Sequence, residues 1–166
     1  MTQADDRIPE NAGDTGQDPM LQWVTFRLAG ETYGINVIQI QEVLRLSEIA
    51  PVPGAPDHVL GIINLRGNVV TVIDARRRFG LPPQEPDDLS RIVITENDGM
   101  TVGILVDSVA EVVNLRLSEI ESPPNVGKDE SSRYIQGVHS EGDRILILVD
   151  LNRLLEEEER SEAAPY

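Results

Sequence analysis

The chain has 166 residues, a formal charge of −15 and no cysteine, with 40% hydrophobic and 26% charged residues. That composition suits a folded protein whose core is built from Val, Ile and Leu, since aromatic side chains supply only 4%. It excludes a disulfide framework and a thiolate metal site, and the acidity disfavours nucleic acid, whose phosphates are held by Lys and Arg displacing counterions.

Residues 1–20 carry one Arg against five acidic side chains and have no apolar period. They predict an acidic tail with too little apolar surface to offset the entropy of ordering. They also lack the basic and apolar regions of a signal peptide, and no apolar run in the chain reaches the roughly 20 residues that cross a bilayer. The expectation is a cytoplasmic protein without membrane insertion.

From Leu21 the pattern becomes short apolar runs punctuated by Gly, Pro and Asp. Val24, Phe26 and Leu28 alternate with polar neighbours, Ala29-Gly30-Glu31 can turn, and Tyr33 to Val37 can return as the second strand of a hairpin. Ile38 to Glu42 reads as a turn of helix. Gly67-Asn68 supplies a tight turn ahead of Val69 to Ile73, a buried strand. Arg76 to Phe79 reads as a second helical turn, with Arg76-Arg77-Arg78 solvated on it. Leu81-Pro82-Pro83-Gln84-Glu85-Pro86 cannot pair regularly and marks a break. Further on, Ser108 to Glu111 reads as helical, Ile145 to Val149 as a buried strand, and Leu151 to Glu156 as a short helix running into an acidic end.

The second half repeats the first. Tyr33-Gly34-Ile35 matches Val102-Gly103-Ile104, and Gln41-Glu42-Val43 matches Ala110-Glu111-Val112, both 69 residues on. Ser47-Glu48-Ile49 recurs as Ser118-Glu119-Ile120, and Pro53 as Pro124, 71 residues on. Gly61 and Asp74 recur as Gly137 and Asp150, 76 residues on. Order kept while offsets grow in steps is what loop insertions produce between two copies of one β unit. The expected fold is all-β, with two five-stranded β-barrels packed together and short helical turns. The expected division is a tail over 1–20, subdomains over 21–83 and 84–156, and an acidic tail over 157–166. Units of that size bury modest cores and should lean on each other.

Catalytic signals are sparse. His58 and His139 lack metal-spaced partners, and the chain has no P-loop, dinucleotide fingerprint or nucleophile elbow. Asp74 and Asp150 read as residues that end strands. No cofactor or metal is expected. The feature that stands out is Asn64-Leu65-Arg66-Gly67, whose counterpart is Ser140-Glu141-Gly142-Asp143, with the opposite charge. An Arg beside a tight turn is held by paired backbone, and its guanidinium offers five donors in a fixed fork, which suits an interaction anchor. A plain hairpin turn with an exposed Arg is the alternative.

Tyr33-Gly34-Ile35, Val37 to Val43, Pro51-Val52-Pro53-Gly54-Ala55-Pro56 and Gly61-Ile62-Ile63-Asn64-Leu65-Arg66-Gly67 together resemble the CheW family of chemotaxis coupling proteins. Val102 to Asp107 and Asp143 to Asp150 agree, and the resemblance spans about residues 21–156. It implies a non-enzymatic adaptor of two SH3-like subdomains. Such an adaptor links the cytoplasmic tips of methyl-accepting chemoreceptors to the regulatory domain of the histidine kinase CheA, and is recruited to membrane-associated receptor arrays through these partners. By that resemblance Ile40, Glu42 and Arg66 line a receptor-facing groove near the subdomain junction, supported by Asn64 and Gly67, while the kinase-facing surface lies near Gly61. Thr71-Val72 departs from relatives that carry Pro there, which leaves open whether the strand is an edge. Another chemosensory-type system, such as one controlling surface motility, is the alternative setting.

Overall fold

The computed structural model describes residues 18–123 and 133–155. Among these the first hairpin is β1 (Met20–Leu28) and β2 (Glu31–Asn36), turning at Ala29 and Gly30, both with positive φ. After a 3-10 turn (Val37–Gln39) come β3 (Ile40–Arg45) and the hairpin of β4 (Val59–Leu65) and β5 (Asn68–Asp74). Helix α1 (Ala75–Arg78) follows, its first turn capped by Asp74, whose carboxylate accepts from the Arg76 amide. The second half gives β6 (Arg91–Asn97), β7 (Met100–Val106), β8 (Ser108–Arg116), β9 (Ile135–Glu141) and β10 (Arg144–Val149). Residues 151–155 are helical. Pro124, the residues beyond 155 and the tail before 18 lie outside the described residues.

Two readings of local structure change. Ser108 to Glu111 is the start of β8, because Val109, Val112 and Val113 are β-branched and β8 pairs along β1. Ile38 to Glu42 is helical only as the 3-10 turn, and Ile40 already opens β3.

The strands form two five-stranded sheets. The first has the order β9-β10-β2-β1-β8 and the second β3-β6-β7-β5-β4. Advancing each strand of the second sheet by five, or taking five from it, reproduces the first sheet read from its other end. The repeat seen in the sequence is therefore a repeat of topology. It extends to details: β10 runs parallel to β2 as β5 does to β7, and the isolated bridge Ala50 to Ile62 recurs as Glu121 to Val138. The Arg77 to Asp74 ion pair recurs as Arg153 to Asp150. As hydrogen-bonded ladders both sheets are open and SH3-like rather than closed rings, with β8 and β9 as edges of one and β3 and β4 as edges of the other.

Each sheet takes strands from both sides of residue 83, so a division into 21–83 and 84–156 does not coincide with the division between sheets. Hairpins are local and stay within a half. Parallel pairing needs a crossover, and it is the parallel pairs β2 with β10 and β5 with β7 that join hairpins of different halves. This placement also makes β5 interior, between β4 and β7, so the strand holding Thr71 is not an edge.

Three apolar clusters follow. One lies between the sheets, with Phe26, Leu28 and Ile35 from the first, Ile73, Val93 and Ile104 from the second, and Phe79, Leu151 and Leu154 from the helical turns. Phe26, Tyr33 and Phe79 stack in sequence through it and Tyr134 tilts against Phe79, with ring centroids 5.8, 5.5 and 5.6 Å apart. The second sheet curls over Ile63, Val72, Ile92 and Ile94. The first curls over Trp23, Leu115, Leu146 and Leu148.

The triple arginine departs most from expectation. Arg76 is buried, its guanidinium forking onto both Asp107 oxygens at 2.8 and 2.6 Å and onto the Pro82 carbonyl at 2.8 Å. Asp107 also accepts from the Ala29 amide at 2.9 Å, so one carboxylate ties α1 to the turn of the first hairpin. The Arg78 guanidinium lies 5.2 Å over the Tyr134 ring. A solvated turn describes Arg77, which is exposed, but neither Arg76 nor Arg78; desolvated Arg76 is tolerated because its fork is filled.

Candidate interaction surface

The β4 to β5 turn demands positive φ at both loop positions, since a two-residue loop of that kind matches strand twist. Arg66 has φ of 51° and Gly67 of 91°. Asn64 secures the turn by accepting the Gly67 amide at 2.8 Å. An asparagine, aspartate or glycine would occupy the first position with less strain than arginine, and the equivalent residue in the other sheet is Gly142, at φ of 63°. Turn chemistry thus explains Asn64 and Gly67 but not Arg66.

What Arg66 does is reach Glu42. Both guanidinium NH groups donate to the Glu42 carboxylate, one to each oxygen. Glu42 stands on β3, at one edge of the second sheet, while Arg66 tops the hairpin that contains the other edge. The pair spans the open mouth of that sheet. Glu42 raises the Arg66 pKa further through the hydrogen bond and its charge. Arg66 keeps 69% of its side chain in solvent against 28% for Glu42, so the outer face of the guanidinium is available to a partner.

Ile40, two residues before Glu42 across a register shift in β3, is half-buried against the cluster between the sheets. It therefore lies at the junction, with Glu42 nearer the mouth. Two exposed apolar residues flank these elements: Ile38, 84% exposed at the 3-10 turn that precedes β3, and Val69, which patterning assigned to a buried strand but which is 69% exposed and in register with Asn64. Their signal was an aliphatic residue next to a turn, too common in a β-rich chain to be noticed. An arginine is the residue type that anchors interfaces, and exposed aliphatic side chains near it supply contacts that exclude water.

Gly61 is buried and shows no side chain to a partner. Its φ is 150°, and a Cβ there would stand 2.1 Å from the Ala50 carbonyl oxygen. Glycine at this point lets residues 49–50 bridge onto β4 through two backbone hydrogen bonds of 2.9 Å. His58 and His139 are half-buried and apart, on the loop before β4 and on β9. His139 Nδ1 lies 3.0 Å from the Glu119 carbonyl oxygen. Among the described residues no helix is long and apolar enough to cross a membrane.

Comparison with known proteins agrees with this geometry. The family model described as CheW-like domain matches residues 22–159. The chain is 34% identical to the chemotaxis protein CheW of Bacillus subtilis, covering 86% of this chain and 91% of that one. It is 32% identical to the chemotaxis protein CheW of Treponema pallidum, covering 89% of each. The crystal structure of scaffolding protein TtCheW from Thermoanaerobacter tengcongensis superposes with a TM-score of 0.76 at 35% identity, covering 82% of this chain and 92% of that one.

Proposed function

The chain belongs to the CheW family of chemotaxis scaffold proteins, and from that premise we propose that it couples the cytoplasmic tips of methyl-accepting chemoreceptors to the regulatory domain of the histidine kinase CheA. It acts as an adaptor without turnover, in the cytoplasm, and reaches receptor arrays through its partners. The observation that carries this reading is Arg66: a strained turn position holds an arginine whose fork is half engaged by Glu42 and half open to solvent.

The receptor-facing groove runs from Ile40 past Glu42 to the Arg66 hairpin, with Asn64 and Gly67 holding the turn and Ile38 and Val69 adding apolar contact. An amphipathic receptor helix supplies apolar residues to such a surface, and the charged pair fixes its orientation. The kinase-facing surface lies around β4 near Gly61, which contributes by letting residues 49–50 lie flat on that strand rather than by touching the kinase. Reconstitution of the protein with a receptor cytoplasmic fragment and kinase tests the proposal. Kinase activity should depend on the protein when all three are present, and pull-down of the receptor fragment should weaken about thirtyfold for Arg66→Ala, the equivalent of ~2 kcal/mol. Wild-type pull-down by folded Arg66→Ala refutes the role given to Arg66.

A further inference from the structure

The repeat makes the two sheet mouths comparable position by position, and they differ in one respect. In the second sheet the mouth is filled by Ile63, Leu65 and Ile94 and closed by Arg66 on Glu42. In the first sheet the equivalents are His139, Glu141 and Thr25, shorter or polar, and the residue in the place of Arg66 is Gly142. The result is a cleft of about 530 Å³ between edge strand β8 and the β9 to β10 hairpin.

Glu111 is the counterpart of Glu42 and lies in this cleft. Thr25 fixes its backbone, its hydroxyl accepting the Glu111 amide at 3.0 Å and donating to the Glu111 carbonyl at 2.8 Å. No salt bridge holds its carboxylate among the described residues. Glu31, Glu141 and Asp143 also line the cleft, so four carboxylates face two guanidiniums, Arg27 and Arg144. Arg27 is turned back onto the Gly30 carbonyl. Leu115 and Leu146 form an apolar part of the wall, with the buried Trp23 packed behind them and its indole N–H without an acceptor.

We infer that this cleft receives an arginine of a partner protein's extended segment, placing on Glu111 in trans the guanidinium that Arg66 places on Glu42 in cis. Three observations on one site point to that occupant: a carboxylate on an anchored strand position with no ion-pair partner among the described residues, an excess of negative charge around it, and an apolar wall suited to the stem of a long side chain. Arginine fits better than lysine because its planar fork engages both carboxylate oxygens at once. This goes beyond the coupling role, since it concerns the other sheet and involves neither Arg66 nor Gly61.

Trp23, the chain's single tryptophan, provides the readout. Full-length protein is titrated with the pentapeptide acetyl-Gly-Leu-Arg-Leu-Gly-amide and with its citrulline twin, which has the same shape without the charge, while indole emission is followed. The arginine peptide should produce a saturable change. The citrulline peptide should bind about tenfold more weakly, and Glu111→Gln should weaken arginine-peptide binding by a similar factor. Glu48→Gln, on an exposed loop, should leave binding unchanged. Gly142→Arg, which supplies the guanidinium in cis, should abolish it. Equal binding of the two peptides, wild-type binding by folded Glu111→Gln, or no saturable change overturns the inference. Neither receptor nor kinase is in the assay, so that failure leaves the coupling role as it stands.

Discussion

Gly61→Ala isolates a backbone effect that the repeat allows to be controlled internally. At φ of 150° an alanine is strained, by about 1–3 kcal/mol for such regions. Its Cβ would also stand 2.1 Å from the Ala50 oxygen, which is backbone and cannot rotate away. Residues 49–50 must lift, forfeiting the two bridging hydrogen bonds at roughly 0.5–1.5 kcal/mol each. The sum is about 2–6 kcal/mol, a large share of the ~5–15 kcal/mol by which folded proteins are stable. Gly137 occupies the equivalent place without a left-handed φ; a Cβ there meets the Ile120 Cγ2 at 2.5 Å and the Glu121 carbonyl oxygen only at 3.0 Å, so the backbone is approached less closely than at Gly61. Gly137→Ala should therefore cost about 1–2 kcal/mol. Urea unfolding followed by circular dichroism measures both. With m of about 2 kcal/mol/M, the middles of these ranges place the Gly61→Ala midpoint about 1 M below that of Gly137→Ala, with m unchanged. Coincident midpoints, or Gly61→Ala unfolding like wild type, refute the close-approach explanation and return Gly61 to a direct role in contact.

Replacing Arg66 with glycine should raise stability by a few tenths of a kcal/mol to about 1 kcal/mol, because it relieves the positive φ while an exposed ion pair contributes little; thermal unfolding reads the gain, and receptor-fragment binding should fall in the same variant. Arg76 hydrogen-bonds Asp107 and holds its carboxyl pKa below the ordinary value, so the pair stabilises the fold above the unfolded Asp pKa of about 3.9, and this contribution is lost as pH falls through the lower folded pKa. Asp107→Asn should cost about 2–3 kcal/mol at neutral pH, reduced from the value for a fully buried pair by the partial exposure of Asp107, and should flatten the acid limb of stability against pH; an unchanged acid limb argues against it. Phe79→Ala removes a ring stacked on Tyr33 and tilted against Tyr134 and should cost about 3–5 kcal/mol in denaturant unfolding; a loss below 1 kcal/mol shows that the inter-sheet cluster closes around the gap.

Much of this protein was written locally. The hairpin of β1 and β2, the strands before Asp74 and Asp150, the tight turn at Gly67 and the twofold repeat all follow from apolar alternation, turn residues and recurring spacing, because hairpins and caps depend on near neighbours. The family resemblance rests on the same local blocks, and it implied that Glu42 and Arg66 share a surface. Tertiary structure alone decided the rest. Nothing near Arg76 announces that Asp107, 31 residues away, removes it from solvent. No local pattern distinguishes hairpins that stay together from hairpins that pair in parallel with the other half, since that choice rests on which apolar faces are buried jointly. The open cleft beside Glu111 belongs to the same class. It exists because three positions that are aliphatic in one sheet are polar in its counterpart, a difference that acquires meaning only once the two sheets are superimposed in space.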